Sequence, residues 1–361
     1  MRKILWIMAL VILVSIGNQT YACSGYAVYK ENVYYGMNWD YPPGYDATLS
    51  IVNKEDMRIF LVYDSDGNFF TGMNDQGLFA MTIMVTPEED FGLLHENSYN
   101  NVEHIVAKDL FFESLFNYSN MNQVNNYLKD KRLFYSTIKL HNMLADTNGN
   151  AQIVEVGKDK NRITAIKDNF LLISNFPQYY FENTPYNQIV ANGSDRYIAG
   201  YDYILKNIEH FDRNHGLKML EAMKCVGPTY YTLCSFLFEP KENTVYIALN
   251  RDYERIWKIS IAEGTAETYK GFESPMKIKF GERITLSQLK KLTDYNASIL
   301  KKFDDQFIIR PDLSMPNASE SLKKQTILKY FKTIGLLTGF SILGIIYNRR
   351  KLRRTNKVKL Q

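Results

Sequence analysis

Residues 23–40 read CSGYAVYKENVYYGMNWD, and the way this stretch pairs with itself decides the fold. Two runs rich in Tyr, Val and Ala flank Lys30-Glu31-Asn32, a polar tripeptide suited to a turn, so a β-hairpin is expected. Antiparallel pairing about that turn sets Cys23 opposite Trp39 and beside Asp40. Gly36 is expected to admit close backbone approach next to Cys23.

Outward from this hairpin the same alternation recurs. LVYDSDGNFFTGMN turns at Asp66-Gly67, MLADTNGNAQIVEV at Asn148-Gly149, and SFLFEPKENTVYIAL through residues 240–243. The Asn-Gly pair is a strong short-range hairpin signal. Apolar residues recur at helical spacing over 102–129, and 194–208, 216–224 and 286–303 also read as helices. Many antiparallel hairpins, few helices and no Pro/Gly/Ser-rich divider indicate a layered α+β domain rather than a parallel α/β sheet.

The 361 residues include 43 Lys and Arg against 39 Asp and Glu, a formal charge of +4. This basicity is concentrated at the two ends. Arg2 and Lys3 precede an uncharged apolar run over 4–16, and Thr20 and Ala22 are the small residues that a signal peptidase reads. Residues 1–22 are therefore expected to be a signal peptide, removed after Ala22. Residues 333–347 carry no charge. Counted from 327, with Lys329 and Lys332 snorkelling to the headgroups, the run is long enough for one membrane span. Residues 348–361 hold seven basic residues and no acidic one, the pattern of a cytoplasmic tail.

The expected organisation is a signal peptide (1–22), a soluble domain (23–310), a connector (311–326), a single C-terminal transmembrane helix (327–347) and a basic tail (348–361). The soluble domain then lies on the extracytoplasmic side of the cell membrane. With Arg2, Lys3 and the seven tail residues set aside from the 43, 34 basic residues face 39 acidic ones, and residues 23–347 carry −5. This mildly acidic domain gives no basis for a nucleic-acid partner. Nothing in the sequence specifies an oligomeric state.

His95, His104, His141, His210 and His215 form no ligand-spaced set, so neither a metal nor another cofactor is expected. Three cysteines are too few for a disulfide scaffold; Cys225 and Cys234 either bridge or remain inert thiols. Cleavage after Ala22 would make Cys23 the first residue. Such a residue carries a nucleophilic thiol and its own α-amine as base. Reference values of ~8.5 for the thiol and ~7.7–8.0 for the amine need only modest tuning for proton exchange at neutral pH. A carboxylate at Asp40 is placed to hold and orient the α-ammonium. The alternative, a lipid-attachment cysteine in a non-catalytic surface binding module, fits Thr20 and Tyr21 poorly.

Cys23-Ser24 followed by Gly36-x-Asn38-x-Asp40 resembles the start of the cysteine-type N-terminal nucleophile hydrolases, which include choloylglycine hydrolases, penicillin V acylases and the penicillin acyltransferase group. The resemblance continues in order through Gly72-Met73-Asn74-x-x-Gly77-Leu78, Ala145-Asp146-x-x-Gly149 with Glu155, Ser174-Asn175-x-Pro177, Ser194-x-Arg196-Tyr197 and the strand pair 232–249. It implies a four-layer αββα sandwich that hydrolyses a non-peptide linear N-acyl amide through a thioester acyl-enzyme. It further implies Cys23 as nucleophile and base, Asp40 as orienter of the α-amine, Asn175 as oxyanion donor and Arg196 as support behind the site. Trp39 and Met84 are candidate substrate contacts, and Tyr41, Tyr45 and Phe91 candidate linings of an acyl pocket.

The chain departs from the family pattern at three places. Met37 stands where many of these hydrolases carry an arginine, which removes a cation from the thiol's surroundings. The acyltransferases also lack that arginine, which keeps acyl transfer to an amine as an alternative. Met84 falls near the position of an oxyanion-site asparagine of the bile salt enzymes, and the spacing from Cys23 to Asp40 is two residues shorter.

Overall fold

The computed structural model describes residues 22–86, 103–136, 138–280 and 283–294. The expected signal segment before Ala22, Phe91, His95, the end of the expected helix 286–303, the span 327–347 and the basic tail lie outside the described residues. The chain divides into two units, Met1–Ile309 and Arg310–Gln361, and every described residue belongs to the first. Among the described residues no helix is long and apolar enough to cross a membrane.

The hairpin expected from residues 23–40 forms between the strands Ala22–Tyr29 and Val33–Tyr41. Its register pairs Cys23 with Trp39 and Ala22 with Asp40. The turn closes where the Lys30 N–H donates to the Asn32 carbonyl at 3.0 Å. Val33–Tyr41 is buried at all but its last residue, because the strand is covered on both faces. Tyr35, Met37 and Trp39 enter one apolar cluster, while Tyr34 enters another.

Two eight-stranded sheets are built around this hairpin. The first runs, in spatial order, Phe170–Ile173, Ala22–Tyr29, Val33–Tyr41, Tyr231–Glu239, Thr244–Leu249, Ile256–Ser260, Thr265–Lys270 and Lys277–Lys279. The second runs Arg162–Ala165, Ala151–Glu155, Leu140–Ala145, Phe79–Met84, Phe69–Asn74, Met57–Asp64, Ala47–Lys54 and Arg283–Thr285. Side chains from both sheets, among them Trp39, Met81, Met143 and Phe236, share one core. A second core joins the first sheet to the helices Ser194–Asn207 and Arg213–Ala222. A third joins the second sheet to the helices Asp109–Asn117 and Met121–Leu128. The order helix, sheet, sheet, helix follows from these three cores, each covering one apolar sheet face.

Two hairpins share one turn chemistry. Asp64 Oδ1 accepts from the N–H groups of Asp66 and Asn68 at 2.9 Å each, and Asp146 Oδ1 accepts from those of Asn148 and Asn150 at 2.9 and 3.3 Å. Gly67 and Gly149 take the positive φ these turns require. Asp146 does more, since its Oδ2 accepts the Met121 N–H at 2.8 Å and so ties a hairpin to the start of a helix.

The helical reading of 102–129 is corrected. It resolves into the strand Glu103–Val106, which pairs in parallel with Lys131–Phe134, and two helices. The break comes where the Asn120 side chain caps the second helix by accepting from the Gln123 N–H, a local bond that outcompetes helix continuation. The reading of Gly36 is also corrected. It lies opposite Tyr26 rather than Cys23, and a Cβ there would fall 2.3 and 2.4 Å from the Tyr26 ring. That ring is fully buried and its hydroxyl donates to the Gly216 carbonyl at 2.7 Å, so it has no room to yield. Gly36→Ala is expected to destabilise the domain by about 1–3 kcal/mol through overpacking. An unchanged melting temperature by calorimetry would count against this assignment.

Candidate active site

Cys23, Asp40, Asn175, Arg196 and Thr232 come together at the end of the first sheet where Ala22–Tyr29 begins and Val33–Tyr41 ends, and all five are buried. Asn175 lies just past Ile173, the last residue of the edge strand, whose pairing of Gly25 with Ile173 brings Asn175 alongside Cys23. In the chain with Ala22 attached, the Cys23 main-chain N–H donates to Asn175 Oδ1 at 2.9 Å. Arg196 supplies two parallel donors. Its Nη1 reaches Asp40 Oδ2 and its Nη2 reaches Asn175 Oδ1, both at 2.9 Å. The other Asp40 oxygen accepts from Thr232 Oγ1 at 2.5 Å. Thr232 in turn accepts from the Cys225 N–H at 2.8 Å.

Local chemistry puts Arg196 in this position. It lies in the first turn of the helix Ser194–Asn207, whose preceding residue Gly193 has φ of 80°. A Cβ on Gly193 would fall 2.3 Å from Ser174 Oγ and 2.5 Å from Arg196 Nη2. Both the left-handed backbone and the missing side chain are therefore needed to let the guanidinium through. The Ser174 hydroxyl donates to the Gly193 carbonyl at 2.9 Å, which holds the two segments together.

Strand alternation separates the thiol from the ion pair. Cys23 and Trp39 face the core between the sheets, so Asp40, the next residue, points to the opposite, helix-covered face. Burial pushes the Cys23 thiol up to about 12, the Asp40 charge adds to the rise, and Arg196 offsets part of it. Burial likewise pushes Asp40 up to about 6, against the opposing effects of Arg196 and Thr232.

Trp39 is fully buried and stacks on Tyr41 and near Phe70, with ring centroids 5.0 Å away in each case. Tyr45 packs edge-on against Tyr41 and is exposed. The Met84 carbonyl accepts from Asn175 Nδ2 at 2.7 Å. Met37 is fully buried in the core between the sheets. Cys225 and Cys234 are free thiols, so the bridge considered between them is not formed. A cavity of about 150 Å³ lined by Phe176, Pro177, Phe181, Val190 and Ala191 flanks the Asn175 turn but does not include Cys23.

No protein-family model matches the sequence, and no curated protein matches it. Among solved structures, penicillin V acylase from Agrobacterium tumefaciens aligns with a TM-score of 0.50 over 72% of this chain and 92% of that one, at 13% identity. The two proteins share a fold. Two structures of a conjugated bile acid hydrolase from Clostridium perfringens align over 69% of this chain and 96% and 97% of theirs, at 17% identity and TM-scores of 0.48 and 0.49.

Thr232 was not among the sequence candidates. Its neighbour across the sheet is Asp40, but the ladder slips at a bulge between Thr232 and Cys234, and no sequence spacing reveals such a slip. The raised pKa of Asp40 has a testable sign. Between the usual carboxylate value and about 6 the folded chain binds a proton that the unfolded chain has lost, so this contribution to stability is full at low pH and disappears as pH rises through 6. In chains retaining Ala22, the stability advantage of wild type over Asp40→Asn is expected to shrink across that window in denaturant titrations. An advantage that grows with pH would show instead a depressed Asp40 pKa.

Proposed function

We propose that this protein is an amidase that hydrolyses a non-peptide N-acyl amide from an N-terminal Cys23 released by cleavage after Ala22. The observation that carries the reading is the relay behind the Cys23 main-chain nitrogen: its N–H donates to Asn175 Oδ1, that oxygen also accepts from Arg196, and Arg196 pairs with Asp40. A buried amide N–H alone would not call for a charged pair behind it, whereas an α-amine that must alternate between neutral and protonated forms does. The shared fold supports the same class of chemistry.

In the proposed reaction the thiol proton passes to the α-amine, and Cys23 Sγ attacks the acyl carbon. The carbonyl oxygen takes up the negative charge and accepts a hydrogen bond from Asn175 Nδ2, whose second hydrogen is not the one given to Met84 O. The C–N bond then breaks, the leaving amine takes the proton from the α-ammonium, and a thioester remains. Water attacks the thioester with the α-amine as base, releasing the carboxylic acid and restoring the thiol. In the chain with Ala22 attached, burial raises the pKa of the Cys23 thiol and disfavours its thiolate. Cleavage places a titratable cation beside the sulfur and lowers its pKa. Trp39, Tyr41 and Tyr45 form a continuous aromatic wall leading from Cys23 to the surface and suit an apolar acyl group.

Met37, buried on the thiol's side of the sheet where hydrolases of this group carry a cation, favours a second reading in which an amine rather than water takes the acyl group. In either case the expected signal peptide would direct export before its removal, and the expected C-terminal span would anchor the exported domain.

The test combines intact mass with kinetics. The mature protein is expected to begin with an unmodified Cys23, and to cleave members of a panel of N-acyl p-nitroanilides, penicillin V and a conjugated bile acid. Cys23→Ser should abolish turnover, and Asn175→Ala should lower kcat by about 10²–10³-fold. A lipidated Cys23, or equal rates in the two variants and wild type, would refute the reading. Product capture by an added amine at the expense of the free acid would select acyl transfer.

A further inference from the structure

We infer that Glu155 is a positioning residue that holds Asn175 in register with Cys23. Glu155 ends the strand Ala151–Glu155 of the second sheet and is 1% exposed. Three donors converge on its carboxylate. Oε1 accepts from the Gln178 N–H at 2.9 Å and faces His141 Nδ1 at 2.9 Å, and Oε2 accepts from the Tyr179 N–H at 3.2 Å. A carboxylate can only accept, so His141 Nδ1 carries the hydrogen; His141 itself is fully buried.

Gln178 and Tyr179 open the short 3-10 turn Gln178–Phe181, which follows Asn175-Phe176-Pro177. Pro177 has a ring-locked φ of −65°, so few soft torsions separate the anchored amides from Asn175. The same turn is held by Gln178 Nε2 donating to the Tyr197 hydroxyl at 2.7 Å and by the Thr86 N–H donating to the Asn175 carbonyl at 3.1 Å. Glu155 thus fixes from the second sheet a residue whose side chain works at the end of the first. A carboxylate is required because it offers acceptors to all three donors; a glutamine would turn its own NH₂ against at least one of them.

The kinetic arm of the test rests on the amidase reading, and the exchange arm does not. With the p-nitroanilide that wild type cleaves best, Glu155→Gln is expected to lower kcat by about 10-fold or more while KM stays within about 2-fold, as for a displaced catalytic group. In the Asn175→Ala background the same substitution is expected to add less than about 2-fold, because Glu155 acts through Asn175. His141→Asn, which keeps a donor at the Nδ1 position, is expected to retain kcat, and His141→Leu to lose it. Hydrogen exchange by mass spectrometry is expected to show faster exchange of peptides covering 174–181 in Glu155→Gln and in His141→Leu, confined to that segment. Fully multiplicative losses in the double variant, a change in KM alone, or unchanged exchange over 174–181 would overturn the proposal. If wild type cleaves no amide, the amidase reading fails and the exchange arm alone decides this one.

Discussion

One guanidinium organises this site. Arg196 extends two parallel donors to acceptors that lie far apart in the chain, Asp40 at the end of a central strand and Asn175 after an edge strand. The planar fork of arginine suits this task, because it fixes two partners in direction as well as distance. All three side chains are buried, and breaking a buried ion pair typically costs about 3–5 kcal/mol. The Cys23 backbone, bonded to Asn175, is therefore positioned by an arrangement that forms as a whole or not at all.

The pleat of the sheet keeps the charges behind the thiol rather than beside it. Cys23 belongs to the same core between the sheets as Met37, Trp39 and Met81, all three fully buried, and the opposite face carries Asp40 and Arg196. The sulfur thus sits in an environment that disfavours its ionised form, and in the proposed reaction its activation falls to the nitrogen of the same residue. This division explains how the site tolerates Met37. A methionine fills the core space that a cation would need hydration or a partner to occupy, and the cation nearest the backbone comes from a helix on the far side.

The Asn175 turn is clamped from two directions. The first sheet and its helices act through Arg196, Ser174 and Gly193, and the second sheet acts through Glu155 and Thr86. Neither sheet alone could define the position of that amide, since its Oδ1 answers to the first sheet and its Nδ2 to Met84 of the second. The packing of two sheets face to face is in this sense part of the site.

Much of this was legible in the sequence. Period-two alternation and turn residues marked the hairpins at Lys30-Glu31-Asn32, Asp66-Gly67, Asn148-Gly149 and 240–243, because such signals are local and each turn sets its own register. The pairing of Cys23 with Trp39 followed from the first of these turns alone. The helix break at Asn120 was missed because a single capping side chain decided it. Thr232 was beyond reach for another reason, and so was the anchoring role of Glu155, which the family pattern marked only as the close of a hairpin. Their partners lie on strands and turns brought close only by sheet order, by a bulge and by the packing of one sheet on the other, and no spacing along the chain encodes those distances. The sequence by itself determined the hairpins, the placing of Cys23 beside Asp40 and the charge pattern of the two ends; the tertiary structure alone decided which buried donors meet which acceptors, because that matching depends on side chains converging across layers.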